Sequence, residues 1–334
     1  MSSSTSRSIV TALLTILTYA SASSPIPSQY QNSTQGNNSC TSPFGKESGE
    51  IGKVTAPAWP YQIYKSAPFN PPVLDITTNG QPLAPGLLFL TPSDASSEGI
   101  TKESAPLIMT DAGQLVWNGP IVIANNFRIA SYQGKDILTY WTGSSTSAAN
   151  IGHGYGNVTF LDSSYNEILV ICPQLGLVTP DNTKYQCEGD FHESFVTDRD
   201  TILVTAYNAT ETDLSSIGGP ENGWVFDCLF FEIEPKTGEI LFSWSALEHV
   251  PVTNTKQPLA GTGNNQSIPF DYFHINSVVN IGDKFLVNSR HLWSTYLIEP
   301  SGDISWTIQG ETGGDFGPLP ANGQFVGISK CFLC

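Results

Sequence analysis

The sequence predicts an all-β protein, a β-propeller assembled from small antiparallel sheets, and three observations carry that prediction. Thirty glycines and twenty-three prolines punctuate the 334 residues. Between them Thr, Val, Ile and aromatic residues recur in short runs, the pattern of strands separated by turns. Four segments then repeat one design: Asp111-AGQLVW-Asn118, Asp162-SSYNEILV-Ile171, Lys236-TGEILFSW-Ser245 and Ser301-GDISWTI-Gln309. Each opens on a polar or glycine turn and continues with alternating apolar residues, and three of the four carry a tryptophan near the end. A sheet repeated in this way buries both faces only by stacking on its neighbours, which is the logic of a propeller blade.

The N-terminus comes first in the chain. Arg7 gives a weakly positive start, Ile9 to Tyr19 form an apolar run, and Ala20-Ser21-Ala22 fits the small-residue rule for cleavage, so residues 1–22 read as a signal peptide. The run is short of the roughly 20 apolar residues that span a bilayer, and no later segment is long enough either. Residues 23–58 are rich in Ser, Asn, Gln, Pro and Gly and read as a glycosylated leader, with few large apolar residues before Trp59. The propeller is expected over residues 59–325, followed by a short tail, 326–334.

A secreted route gives meaning to the cysteines and to the Asn-x-Ser/Thr acceptors Asn32, Asn37, Asn157, Asn208 and Asn265. Cys172 and Cys187 flank a loop containing Pro and Gly and form the preferred disulfide; other pairings, Cys40 with Cys228 among them, stay open. Cys331 and Cys334 lack the second ligand pair that a zinc site requires.

Within the propeller, Phe195-VTDRDTILVTA-Tyr207 and Val278-VNIGDKFLVNS-Arg290 read as hairpins turning at the central Asp or Gly-Asp. Repeat spacings of about fifty to about seventy-five residues suit blades with loop insertions. A β-sandwich is the rival architecture. One helical turn is expected over 210–216, capped by Thr210 or Thr212 and ended by Gly218-Gly219-Pro220.

Charge narrows the function. Thirty acidic residues against fourteen basic ones give a net charge of −16, which argues against nucleic acid, since phosphate neutralisation needs clustered Lys and Arg. The five histidines are more telling. His192 in DFHES, His274 in DYFHINS and His291 in NSRHLWS stand in polar surroundings at strand ends, and beside His291 is Arg290, one of four arginines. Imidazoles and a guanidinium form a set suited to an oxyanion such as a sulfate or phosphate ester, and histidine near neutral pH also serves as acid, base or nucleophile. A metal site built on Glu193 or Asp271 lacks any compact ligand spacing. GHGYG (152–156) lacks the helix of a phosphate loop and reads as a tight turn with His153 at the rim, and His249 reads as a loop residue.

Six strings extend this reading: GHGYG (152–156), FHESFVT (191–197), TAYNAT (205–210), DLSSIGGPENGWVFD (213–227), ILFSWSALEHVP (240–251) and DYFHINSV (271–278). In this order they resemble the arylsulfotransferase-like (ASST) family of fungi, related to the bacterial arylsulfate sulfotransferases, over about residues 65–325. The resemblance implies a six-bladed propeller, of which this chain holds about four blades' worth. It also implies sulfuryl transfer between phenolic compounds through a sulfated histidine, with no cofactor. His192, His274 and Arg290 match the family's pocket residues and would bind sulfate oxygens or protonate the leaving phenolate; Asn276, His291 and His153 would contact substrate. The covalent histidine is implied beyond Phe325, where this sequence carries none, so the resemblance implies truncation and impaired activity. A non-catalytic propeller that binds an aromatic or sulfated ligand, or a protein partner, is the alternative. Small phenolic or aryl sulfate compounds are the expected partners, with no membrane contact after signal cleavage; oligomeric state stays open.

Overall fold

Fifteen strands form four antiparallel sheets in the structure, a computed structural model that describes residues 61–328 apart from 66–68, 75, 78–79, 81–83, 93–102 and 146–151. The expected signal peptide, the leader, Asn32, Asn37, Cys40, Cys331 and Cys334 lie outside the described residues. The first sheet holds β1 (Leu88–Leu90), β2 (Leu107–Met109) and β3 (Leu115–Asn118). The second runs β4 (Ala124–Tyr132), β5 (Lys135–Ser145), β6 (Gly154–Leu161), β7 (Glu167–Ile171). The third runs β8 (Ser194–Val196), β9 (Ile202–Thr212), β10 (Gly223–Ile233), β11 (Ile240–Ser245). The fourth runs β12 (Ile275–Ile281), β13 (Lys284–Ser289), β14 (Ser294–Ile298), β15 (Ile304–Gln309).

Every sheet is a meander in chain order, and the four repeated segments supply the last strand of each: β3, β7, β11 and β15. The hairpin expected over 195–207 joins β8 to β9, with Asp200 at φ 60°, and the one over 278–290 joins β12 to β13, with Gly282 at φ 60°.

Alternation explains why the sheets stack. Along β9, Ile202, Val204 and Ala206 enter a core shared with Trp141, Val158 and Phe160 of the second sheet. Leu203 and Tyr207 point the other way, into a core shared with Val278, Phe285 and Val287 of the fourth. Strand side chains alternate between faces, so the third sheet is covered on both. Each fully buried large apolar side chain contributes about 1.5–3 kcal/mol. A smaller core joins Ile108 of the first sheet to Phe127, Leu138 and Tyr140 of the second. The cores thus link sheets one to two, two to three and three to four, an arrangement consistent with a propeller-like fold.

Two arginines tie these layers together. Arg128 of β4 pairs with the buried Glu193 ahead of β8. Arg199, in the β8–β9 turn, hydrogen-bonds Glu232 Oε1 at 2.8 Å and also the carbonyl of Gly282 in the fourth sheet.

Local structure departs from expectation in two places. Thr210 and Thr212 belong to β9, because their backbone groups pair with β10; the helical turn is a 3-10 turn at Ser215–Ile217, ended by Gly218 at φ 82°. SALEHVP is also more than a loop. It forms α1 (Ala246–His249), whose cap Ser245 accepts from the Glu248 N–H, and His249 closes it by bonding the Ser245 carbonyl and stacking on Trp244.

The Cys172–Cys187 disulfide is present. Cys228 is a buried free thiol in the core between the third and fourth sheets; its open partner, Cys40, lies outside the described residues.

Candidate active site

The site is assembled from chain segments that enter the first strands of the third and fourth sheets. Asp190 and His192 lie just ahead of β8, and Asp271 and His274 just ahead of β12. The two segments are alike: DFH and DYFH each place a carboxylate two or three residues before a histidine. His192 Nδ1 lies 2.6 Å from Asp190 Oδ1, and His274 Nδ1 lies 2.5 Å from Asp271 Oδ2. His274 itself sits at φ 53°, in the left-handed region that non-glycine residues occupy at a cost of about 1–3 kcal/mol and that clusters at functional sites.

His153 fills the space between the two dyads. Its ring centroid is 5.4 Å from that of His192 and 5.3 Å from that of His274, and its Nε2 is 3.3 Å from Asp271 Oδ2. It is 1% exposed and stacks on Tyr207 at 3.5 Å, so the expectation of a rim residue is corrected: GHGYG runs directly into β6 and carries its histidine inward. The glycines serve packing. A Cβ on Gly156 would strike the Thr142 carbonyl and the Trp141 ring.

His291 completes the group. Its ring is 4.7 Å from His274, and its Nδ1 lies 2.6 Å from the Asp271 backbone carbonyl. Arg290, adjacent in sequence, lines with His274, His291 and Asp271 a cavity of about 330 Å³ whose apolar wall includes Leu259 and Phe270. Arg128 and Arg199 are committed to the carboxylates of Glu193 and Glu232, whereas the exposed Arg290 guanidinium makes no hydrogen bond or ion pair among the described residues. The cavity therefore faces one uncommitted guanidinium.

Three expected site residues, His192, His274 and Arg290, thus meet in one region, with His153 and His291 beside them. Asn276 does not open into this group: its amide donates to the Ile328 carbonyl at 2.8 Å. Asp190 was not singled out in the sequence and Asp271 was weighed there only as part of a metal site, although the repeated Asp-x-(x)-His spacing was there to be read.

Electrostatics follow from burial. Removal from water pushes the His153 imidazole below its ordinary pKa, against the opposing pull of Asp271, and does the same to His291. Burial works to raise Asp271 and Asp190 as well. Their imidazole neighbours and hydrogen bonds outweigh it, carrying Asp190 below and Asp271 well below the usual carboxylate range. Both carboxylates are held ionised.

Two groups, His153–Asp190–His192 and His153–Asp271–His274, have possible metal-ligand atoms within 4.8 Å of one another. In each the carboxylate already takes an imidazole N–H at 2.5–2.6 Å, shorter than the roughly 3.3 Å between two ligands of one tetrahedral ion. The groups read as hydrogen-bonded dyads.

Of the remaining acceptor asparagines, Asn265 is exposed in a loop. Asn157 and Asn208 are half-buried on β6 and β9, where the Asn208 amide bonds Val178 N and Thr210 Oγ1. Among the described residues no helix is long and apolar enough to cross a membrane.

A family model described as arylsulfotransferase (ASST) matches residues 128–326, more than half of the chain. No curated protein matches it.

Proposed function

The chain belongs to the arylsulfotransferase family, and from that premise we propose that the cluster around Asp271 binds the sulfuryl group of an aryl sulfate for histidine-mediated transfer to a phenol. The observation that carries this reading is the convergence of four imidazoles from the second, third and fourth sheets beside the uncommitted Arg290. Sulfate spreads negative charge over several oxygens, and a planar guanidinium with imidazole N–H donors matches it. Leu259 and Phe270 on the cavity wall suit the aromatic ring.

In the transfer step that the family implies, the imidazole of the covalent histidine attacks sulfur, the bond from sulfur to the aryl oxygen breaks, and the phenolate leaves with a proton from a neighbouring imidazolium; an acceptor phenol oxygen then attacks the same sulfur, the bond from sulfur to the imidazole breaks, and the phenol's proton passes to a neighbouring imidazole. The resemblance assigns His192, His274 and Arg290 to anion binding and proton donation, with the covalent histidine beyond Phe325; no histidine follows His291 in this sequence. We read the stacked sheets as successive blades of a propeller with the site at its mouth. The apolar run at Ile9–Tyr19 and the Cys172–Cys187 disulfide support a secreted protein, with Asn265 the best-placed glycan acceptor among the described residues.

The test is calorimetric titration with 4-nitrophenyl sulfate, alongside phenol release in the presence of an acceptor phenol. Arg290→Ala is expected to weaken binding of the sulfate ester about tenfold or more, the effect of losing one charge-assisted hydrogen bond of about 1.5–3 kcal/mol, and to leave binding of 4-nitrophenol unchanged. A folded protein that binds ester and phenol equally would overturn the reading.

A further inference from the structure

The hydrogen bonds around the cluster define which face each imidazole can offer. Asp190 and Asp271 are ionised and only accept, so the Nδ1 atoms that meet them at 2.6 and 2.5 Å must carry hydrogen. His291 is held in the same sense by the Asp271 carbonyl, which also only accepts. On His274 the opposite atom, Nε2, is buried and has no hydrogen-bond partner.

We propose that Asp190 and Asp271 are positioning residues that lock His192 and His274 with Nδ1–H on the carboxylate, so that each ring is left with Nε2 alone to meet substrate. This rests on the anion-binding reading above and sharpens it. A neutral histidine free to choose its tautomer offers a sulfate oxygen an Nε2–H without taking up a proton. A histidine locked on a carboxylate does so only as imidazolium; once neutral, its Nε2 holds a lone pair, suited to accept a proton or attack sulfur.

The groups facing this pair are few. His274 faces Asp271 together with His153, His192, His291 and Tyr207, with Arg290 at the cavity and the buried Cys228 thiol behind. His192 faces Asp190, His153, Tyr207 and Phe191; beside it Glu193 is paired with Arg128. The Tyr207 hydroxyl is bonded to the Ile275 carbonyl, and its pKa is raised by burial, so it stays protonated through the relevant range.

The experiment reads tautomers directly by nitrogen NMR on the full chain, labelled at histidine and free of ligand, with the pH raised until the nitrogen shifts stop changing. His192, His274 and His291 are expected as Nδ1–H; Nε2–H at His192 or His274 overturns the proposal. In Asp271→Asn the amide can also donate, which frees His274 to populate Nε2–H. His192 keeps its tautomer on Asp190, and His291 keeps its own on the backbone carbonyl. Asp190→Asn is expected to release His192 alone. Variants that leave both tautomers unchanged refute the inference. Correct tautomers in a protein that fails to bind aryl sulfate would sink the functional reading and leave the positioning role standing, and the wild-type spectrum decides even if a variant fails to fold.

Discussion

His153 shows how far one residue can be misjudged from its neighbours in sequence. Glycines on both sides suggested a turn at a rim, yet Gly154 and Gly156 let the strand pass close to Trp141, and the imidazole lies buried at the centre of the cluster. His192, His274, His291 and Arg290 were legible as polar, chemistry-bearing residues at strand ends. The carboxylates left only their repeated spacing ahead of His192 and His274 as a signal, and their role as partners of those imidazoles emerged only when topology placed them in contact. Burial lowers the pKa of His153 and His291, so the unfolded chain binds more protons than the folded one just below pH 6.5. Their contribution is complete above that value and is lost as pH falls toward the folded pKa values. Asp190 and Asp271, shifted down, act in a lower window: their contribution holds above about pH 4 and is lost as pH falls through the folded values. Thermal unfolding is accordingly expected at a falling Tm from about pH 7 to about pH 5, with a shallower slope in His153→Phe. A Tm that rises on acidification over that interval would contradict the assignment.

At the scale of elements, the repeated turn-to-tryptophan segments were the readable part, and each became the last strand of a sheet. Short helical pieces were harder. α1 has four residues and depends on the Ser245 cap and the stacking of His249 on Trp244, contacts that no periodicity announces. The same scale sets the energetics of stacking. Phe230 is fully buried against Phe242, Trp244 and Phe285, which joins the third sheet to the fourth. Phe230→Ala is expected to lower unfolding free energy by about 3–5 kcal/mol. Ile129, on β4 and 56% exposed, serves as comparison: Ile129→Ala should change stability by less than about 0.5 kcal/mol. Denaturant titration of both variants checks the contrast, and equal effects would mean that the sheets do not share the core described.

Across the whole molecule, alternating strands dictate sheets covered on both faces, and that requirement strings the four sheets together through successive cores. Their order followed from the sequence, since meanders keep neighbours adjacent; which polar residues meet where sheets converge did not, because those contacts span up to about 120 positions, from His153 to Asp271. The Cys172–Cys187 bridge closes a separation of 15 residues beside this region. A loop of that length supplies about 3 kcal/mol, so replacing both cysteines with serine should lower stability by roughly that amount in the same titration.

The claim that everything else depends on is that a sulfate ester is bound by the imidazole cluster, and nitrogen chemical shifts of the five histidines during titration with 4-nitrophenyl sulfate test it most directly. His192, His274 and His291 are expected to shift with one common saturation curve, while His249, stacked on Trp244 outside the cluster, stays in place. Saturation without movement of the clustered imidazoles, or equal movement of His249, would contradict the account.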